Sequence, residues 1–145
     1  MGSSSPLYSD AILIDTSAAI ALHCPSDAAH RVANEFFHNS KGVLWVALNA
    51  TAHESYTRTR YDNSFRSAIT VYDFLKGNEI FQMTFDCQDE IQTRALLEKY
   101  SEHQISYHDA LCAVIMKKAG IYRTFSFDHH FWIMGFEILP GWTMG

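Results

Sequence analysis

Long hydrophobic runs are absent from this sequence. None approaches the length of about 20 residues that a membrane-spanning helix needs, so no membrane association is expected. The opening residues, Met1 to Ser5, also lack the basic region and the apolar stretch of a secretory signal peptide. We therefore expect residues 1–10 to be a flexible lead that resembles a vector remnant, and residues 11–145 to form a single domain.

Cysteine is scarce and shows no paired spacing. The three cysteines, Cys24, Cys87 and Cys112, are far apart and form no C-x-x-C motif, which disfavours a zinc site or a redox pair. An odd number in mostly apolar surroundings indicates small buried thiols in a reducing compartment. The expected location is the cytoplasm.

A basic excess, which is common in proteins that bind nucleic acid, is also missing. The chain has 16 acidic and 11 basic residues and a formal net charge of -5, so the bare protein should repel nucleic acid. If four acids bind metal, however, 12 remain against 11 bases, and each divalent cation adds positive charge. Net charge therefore neither excludes nor supports a nucleic-acid substrate.

The sequence does contain a large apolar fraction in an alternating arrangement. Hydrophobic residues make up 48% and aromatic residues 14% of the 145 residues, which requires a packed core and fits one domain. Short apolar runs alternate with helical patterns, which predicts an α/β domain with a parallel sheet covered on both faces. The predicted strands are 11–15, 43–46, 79–83, 122–127 and 136–139. The predicted helices are capped by Thr16 or Ser17, Asp27, Asn49, Asp62 or Asn63, and Asp86, and the last spans 107–118 before Gly120.

Four acidic residues stand in surroundings that disfavour charge. Asp15 ends an apolar strand, Asp128 directly follows another, and Glu54 lies among apolar residues on its helix. Asp109 lies in the first turn of a helix that is apolar nearly all round and is therefore expected to be buried. Because ligands of parallel sheets bind beyond the carboxyl ends of the strands, all four carboxylates can converge at that edge.

Converging carboxylates are unstable without cations. Two carboxylates about 5 Å apart repel each other by roughly 3 kcal/mol at an effective dielectric constant of about 20. Mg²⁺ or Mn²⁺ suits oxygen ligands better than zinc does, and a pair of such ions can support phosphodiester cleavage. We therefore expect two divalent cations to be held by Asp15, Glu54, Asp109 and Asp128.

Each acid also has a purely structural explanation. Asp15 or Asp128 could cap a helix, and Asp109 could favour the dipole of its helix. Glu54 could pair with Arg58, which follows one turn later on the same helix. Only the joint occurrence of the four acids favours a shared site.

The order and spacing of these acids resemble the PIN domain, and in particular the VapC-type toxins of toxin–antitoxin pairs. The resemblance rests on segments 14–19 (IDTSAA), 52–54 (AHE), 106–110 (SYHDA) and 125–131 (FSFDHHF), and it spans nearly the whole chain. It implies a three-layer α/β/α fold with a central five-stranded parallel sheet. It also implies metal-dependent cleavage of RNA and a small antitoxin protein as a partner.

The resemblance further implies a role for individual residues. Asp15, Glu54 and Asp109 would be the main metal ligands, and Asp128 would complete the site. The hydroxyl groups that support these acids would be those of Thr16, Ser17 and Ser126.

A homodimer is expected as well. The resemblance to small nucleases that form dimers implies the same assembly here. The apolar richness of the chain, which includes Trp45, Phe74 and Trp132, also exceeds what one core of this size is expected to hide.

Histidines adjoin three of the four acids. His53 and His108 each neighbour one of them on a helix, and successive helical side chains point about 100° apart, so each should face away from the acid beside it. His108 also departs from the resemblance, which leads us to expect a small or less basic residue there. His129 and His130 are candidates for phosphate contact, with ordinary surface or core roles as the alternative.

The densest basic cluster follows Glu54. Arg58, Arg60 and Arg66 are interleaved with aromatic residues, so they are expected to contact the RNA backbone. A solvated helix face is an equally open alternative.

Three other functions compete with this one. One is a PIN-domain nuclease that matures ribosomal or transfer RNA and has no antitoxin. Another is a non-catalytic PIN-like scaffold that binds RNA or protein, although loss of an acid would have favoured it more. A phosphatase or phospho-receiver domain is disfavoured because Asp15 is followed by Thr16 and Ser17 rather than by a second acid.

Overall fold

The computed structural model describes Tyr8 and residues 10–141. Most of the expected N-terminal lead, and residues 142–145 of the expected domain, lie outside the described residues. Tyr8 packs against Phe81 with ring centroids 6.1 Å apart, and the Asp10 carbonyl accepts a hydrogen bond from Arg123. The boundary between lead and domain stays a prediction.

A five-stranded sheet forms the centre of the molecule, and every pair of neighbouring strands is parallel. The strand order is β3-β2-β1-β4-β5, so the chain starts in the middle and builds outward in both directions. The register sets Ile14 opposite Phe125, which brings the carboxyl ends of β1 and β4 side by side. The strands are β1 (Ile12–Ile14), β2 (Trp45–Leu48), β3 (Ile80–Met83), β4 (Arg123–Phe125) and β5 (Glu137–Leu139).

Helices cover both faces of this sheet. They are α1 (Thr16–His23), α2 (His30–Asn39), α3 (Thr51–Asp62), α4 (Phe65–Leu75), α5 (Cys87–Lys99), α6 (Tyr107–Ala119) and α7 (His130–Ile133). Side chains of a strand alternate between faces, and accordingly Leu13 packs in one buried cluster while Ile12 and Ile14 pack in the other. The first cluster includes residues of α6 and α7, and the second includes residues of α1 to α4. The predicted three-layer α/β/α architecture is confirmed.

Some helix ends follow the sequence signals, and others differ. Asp86 caps α5 in a reciprocal capping box with Asp89, and Gly120 ends α6 with a φ of 77°, as predicted. The cap of α1 is Asp15 rather than Thr16 or Ser17.

Three further starts differ, and one helix was not predicted. Helix α2 begins after Ala29 instead of Asp27. Helix α3 begins after Ala50 instead of Asn49. Helix α4 begins after Ser64, whose hydroxyl accepts a hydrogen bond from the Ser67 N–H at 3.1 Å, instead of after Asp62 or Asn63. The single-turn helix α7 is too short to leave a periodic pattern. In the part of the chain that the structure describes, no helix has the length and apolar character to span a bilayer.

Candidate active site

Asp15 joins the end of β1 to the start of α1. Its Oδ1 accepts hydrogen bonds from the Ala18 N–H at 3.0 Å and the Ser17 hydroxyl at 2.8 Å, and its Oδ2 accepts one from the Ser126 hydroxyl at 2.7 Å. The side chain is almost completely buried. The expected alternative of a helix cap is therefore realised, but it accounts for only one of the two carboxylate oxygens.

Glu54 reaches the same place from α3. The Thr16 hydroxyl donates to Glu54 Oε1 at 2.5 Å, and His108 Nδ1 lies 3.1 Å from the same oxygen. In the described part of the chain, Glu54 forms no ion pair with Arg58, so the simple helix-surface pairing is not observed. These contacts turn Glu54 toward α1 and α6.

Asp109 and Asp128 approach each other from α6 and from the loop after β4. Ser106 caps α6 by accepting the Asp109 N–H at 3.0 Å, which fixes Asp109 in the first turn. One potential ligand atom from each of Asp109, Asp128 and His130 lies within 4.8 Å of the others. His130 Nδ1 is 3.2 Å from Asp128 Oδ1, so His130 belongs to the acid cluster.

Two serine hydroxyls connect these segments. Ser126 donates to Asp15 and accepts the Asp128 N–H at 2.9 Å. Ser17 donates to Asp15 and accepts the Phe127 N–H at 2.9 Å. The loop after β4 is thus tied to the first turn of α1, and all three hydroxyl groups expected to support the acids contact one of them.

The expectation for His108 was wrong. Its Nε2 lies 2.8 Å from the Thr51 hydroxyl, while its Nδ1 faces Glu54 and lies 3.7 Å from Asp109 Oδ1. His108 therefore faces an acid on α3 as well as its neighbour on α6, and no local sequence signal shows that packing. His53 is exposed and stacks on Tyr72 with ring centroids 6.5 Å apart, as expected for a residue outside the site.

The acid cluster is electrostatically strained. Burial and the nearby charge of Asp109 raise the pKa of Asp15 from its usual 3.8 to about 7. Burial likewise raises the pKa of Asp109, where Asp128 adds to the effect and His108 opposes it. Charged carboxylates at this site therefore need positive charge beside them.

His108 supplies part of that charge. Burial lowers its pKa, but Cys112, Asp109 and Glu54 outweigh burial and raise the pKa to about 11. Burial also raises the pKa of the Cys112 thiol, so the thiol stays neutral at neutral pH and the two carboxylates hold the imidazolium. One cation cannot balance four acids, and the oxygen-rich donor set suits hard divalent ions. The residues present therefore fit a Mg²⁺ or Mn²⁺ site.

The three arginines do not share one surface. All are exposed, but Arg58 follows Glu54 by about one helical turn, whereas Arg60 points about 160° away from Arg58 around α3. The Arg60 guanidinium lies 5.9 Å from the centre of the Phe65 ring. Arg58 also borders a cleft that contains Asp27. Of the three, Arg58 alone is on the Glu54 side of α3, and Arg66 is on α4.

A PIN-domain family model matches residues 12–136, which include all four acids. The chain belongs to the PIN-domain family. The match covers every strand except β5, which begins at Glu137.

A protein of Mycobacterium tuberculosis and its crystal structure are similar to this chain. The chain is 26% identical over 130 residues to the 23S rRNA-specific endonuclease VapC20, covering 89% of this chain and 98% of that protein. The crystal structure of VapC20, described as a sarcin–ricin loop cleaving toxin, superposes with a TM-score of 0.81 at 24% identity, covering 87% of this chain and 96% of the other.

A more distant structure shares the fold alone. FitAcB from Neisseria gonorrhoeae superposes with a TM-score of 0.59 at 14% identity, and the match covers 92% of this chain and 99% of the FitAcB chain. Together the comparisons confirm the predicted family, the five-stranded fold and the class of enzyme, a PIN-domain ribonuclease.

We predict that Asp109→Asn stabilises the metal-free protein by about 1–3 kcal/mol, because it removes the charge that faces Asp15. A raised pKa in the folded state means that stability falls as the pH rises between the unfolded and folded values, here from 3.8 to about 7. Melting temperatures in chelator should therefore fall over that range for the wild type and less for Asp109→Asn. Mn²⁺ should stabilise the wild type more than the variant. An Asn variant that is equal or weaker in chelator would make Asp109 a structural residue.

We also predict that His108→Gln lowers the affinity for Mn²⁺ by about 10- to 100-fold, because residues that orient metal ligands typically have effects of this size. The variant loses the ring that links Thr51 to Glu54. Calorimetric titration with Mn²⁺ measures the effect, and His53→Gln, beside Glu54 but exposed, is the matched control. Unchanged Mn²⁺ affinity in a folded His108→Gln protein would refute this role.

Proposed function

We propose that this chain is an endoribonuclease that hydrolyses RNA phosphodiester bonds with two Mg²⁺ or Mn²⁺ ions held by Asp15, Glu54, Asp109 and Asp128. The observation that carries the proposal is the convergence of these carboxylates from separate elements at the carboxyl end of the sheet. Asp15, Glu54 and Asp109 would be the main ligands, and Asp128 would complete the site. When bound, such ions supply the charge that neutralises the phosphodiester and the activation of the attacking water.

The protein's own contribution is to hold the acids in position. Thr16 orients Glu54, while Ser17 and Ser126 orient Asp15 through opposite oxygens. Each of these hydroxyls donates a hydrogen bond to a carboxylate oxygen and thereby restricts the rotamers of the acid. The acids are therefore arranged before the substrate arrives. His108 holds the remaining side of Glu54.

For the substrate, we propose a structured loop of ribosomal RNA. VapC20 carries the name of an endonuclease specific for 23S rRNA, and the chain matches it over nearly its full length. The similarity to a toxin favours a toxin of a toxin–antitoxin pair, inhibited by a small protein, over an RNA-maturation enzyme. A ribosomal substrate places the protein in the cytoplasm, which cell fractionation would test.

RNA cleavage should require a divalent cation, because the four acids cannot otherwise carry their charge together. We predict that Mn²⁺ or Mg²⁺ supports endonucleolytic cuts in ribosomal RNA of intact ribosomes, mapped by sequencing of the new ends, and that excess chelator abolishes them. Asp109→Asn should lower the rate by at least about 100-fold. Undiminished cleavage in chelator, or by the Asn variant, would overturn the metal mechanism.

Arg58, Arg60, Arg66, His129 and His130 remain proposed RNA contacts, and Arg58 is on the same side of α3 as Glu54. We predict that Arg58→Gln weakens RNA binding and lowers the slope of log affinity against log salt by about one. Arg60→Gln is the matched control, since it lies on the same helix but faces away from Glu54. Fluorescence anisotropy with a labelled RNA measures both. Equal effects of the two variants would contradict a contact confined to the Glu54 side of α3.

The homodimer is also a proposal. Trp45 is in the core and Phe74 packs against that core, whereas Trp132 is 58% exposed. At the α3–α4 end, Tyr61 and Phe65 are exposed as well. Apolar side chains in such numbers favour association of two copies. Light scattering should give the mass of a dimer at micromolar concentration, and a monomeric mass throughout would refute it.

A further inference from the structure

A depression adjoins the acid cluster on the side of the loop after β4. Its volume is about 370 Å³, within the range of about 300–1,000 Å³ that is usual for small-molecule pockets. One side carries Ala28, Ala29 and Val32, from the loop before α2 and its first turn, and the other carries Phe127. Ile138 of β5 also lines it.

The depression is continuous with the site. Ser126 and Asp128 line it, and both also belong to the hydrogen-bonded acid cluster. Phe127 lies between them in sequence, and its N–H is held by the Ser17 hydroxyl. A phosphate placed at the acids would therefore have the sugar and base of its own nucleotide at the mouth of this depression.

The chemistry of the lining favours an uncharged, flat group. Among the lining residues that the structure describes, none is cationic and the only charged side chain is that of Asp128, so a second phosphate would be repelled. The Phe127 ring is 38% exposed and packs edge-on against Phe125 with centroids 6.0 Å apart, which leaves part of the ring available. The small side chains of Ala28 and Ala29 leave space beside it.

We propose that this depression is a nucleobase pocket: it receives the base of a nucleotide adjoining the scissile phosphate, and the base stacks on Phe127. The proposal rests on the proposed ribonuclease function. Unstacked RNA bases bind to proteins mainly by stacking on aromatic side chains, while carboxylate and hydroxyl groups read the base edges. At this pocket the Asp128 carboxylate could accept such a hydrogen bond, whereas the Ser126 hydroxyl already donates to Asp15.

The test is a double-mutant cycle between Phe127 and the RNA. The substrate is a synthetic RNA that spans the cut mapped in ribosomal RNA, with single abasic positions on either side of the bond. For the wild type, one abasic position next to the cut should raise KM by about tenfold, the usual size of one base–aromatic stack. For Phe127→Ala the intact RNA should show the same rise, and the abasic change at that position should add little.

Further variants separate stacking from packing. Phe127→Tyr keeps the flat ring and should behave as the wild type, whereas Phe127→Leu keeps apolar bulk and should resemble Phe127→Ala. Phe81→Ala removes a comparably exposed ring on β3, at the far edge of the sheet, and should respond to abasic positions as the wild type does. Circular dichroism and Mn²⁺ titration establish that each variant is folded and binds metal.

The outcomes distinguish the two proposals. If the effects of Phe127→Ala and of every abasic position are additive, the nucleobase pocket is wrong while the ribonuclease function stands. If Phe127→Ala changes the mass in solution but not KM, the depression is a protein contact and the proposal also fails. If the wild type cuts no RNA with Mn²⁺, the ribonuclease function itself is wrong, and the pocket proposal falls with it.

Discussion

The free-energy cost of burying several charged carboxylates close together determines the structure of this protein around its site. Asp15 is buried at the end of an apolar strand and faces the charge of Asp109, so each destabilises the ionised form of the other. The fold tolerates this cost because hydroxyl and amide donors surround Asp15 and because His108 brings one positive charge close to Glu54 and Asp109. Divalent cations would remove the remaining repulsion between the carboxylates, which links metal binding to folding.

The parallel sheet makes this gathering geometrically simple. β1 and β4 are neighbours, so the segments that leave their carboxyl ends, with Asp15 and Asp128, start side by side. The helices α3 and α6 lie on opposite faces, and their first turns bring Glu54 and Asp109 to the same edge. A chain that winds outward from a central strand thus delivers four distant residues to one point without a long loop.

Much of the fold and the convergence of the four acids could be predicted because both follow local rules. Short apolar runs mark buried strands, capping residues mark helix starts, and an acid in an apolar context stands out. Helix starts differed by a residue or two where several residues could cap, as at Asp15 and Ser64. The orientation of His108 could not be predicted, because it depends on how the first turns of α3 and α6 meet at the edge of the sheet and not on either helix alone. The depression beside Phe127 is hidden for the same reason: its walls are about a hundred residues apart in sequence.

Asp15 is both a helix cap and a proposed metal ligand, and this affects the choice of substitutions for inactive variants. One of its oxygens caps the N-terminus of α1, so replacing Asp15 with Ala removes a helix cap and a proposed metal ligand in a single change. Loss of function in such a protein reports on folding and chemistry together. Asn retains the capping oxygen, while its amide nitrogen replaces the oxygen that accepts the hydrogen bond from Ser126. For trapping an uncut complex, an amide at Asp15 or Asp109 is therefore the cleaner choice, and Ala-based inactive mutants at Asp15 measure two properties at once.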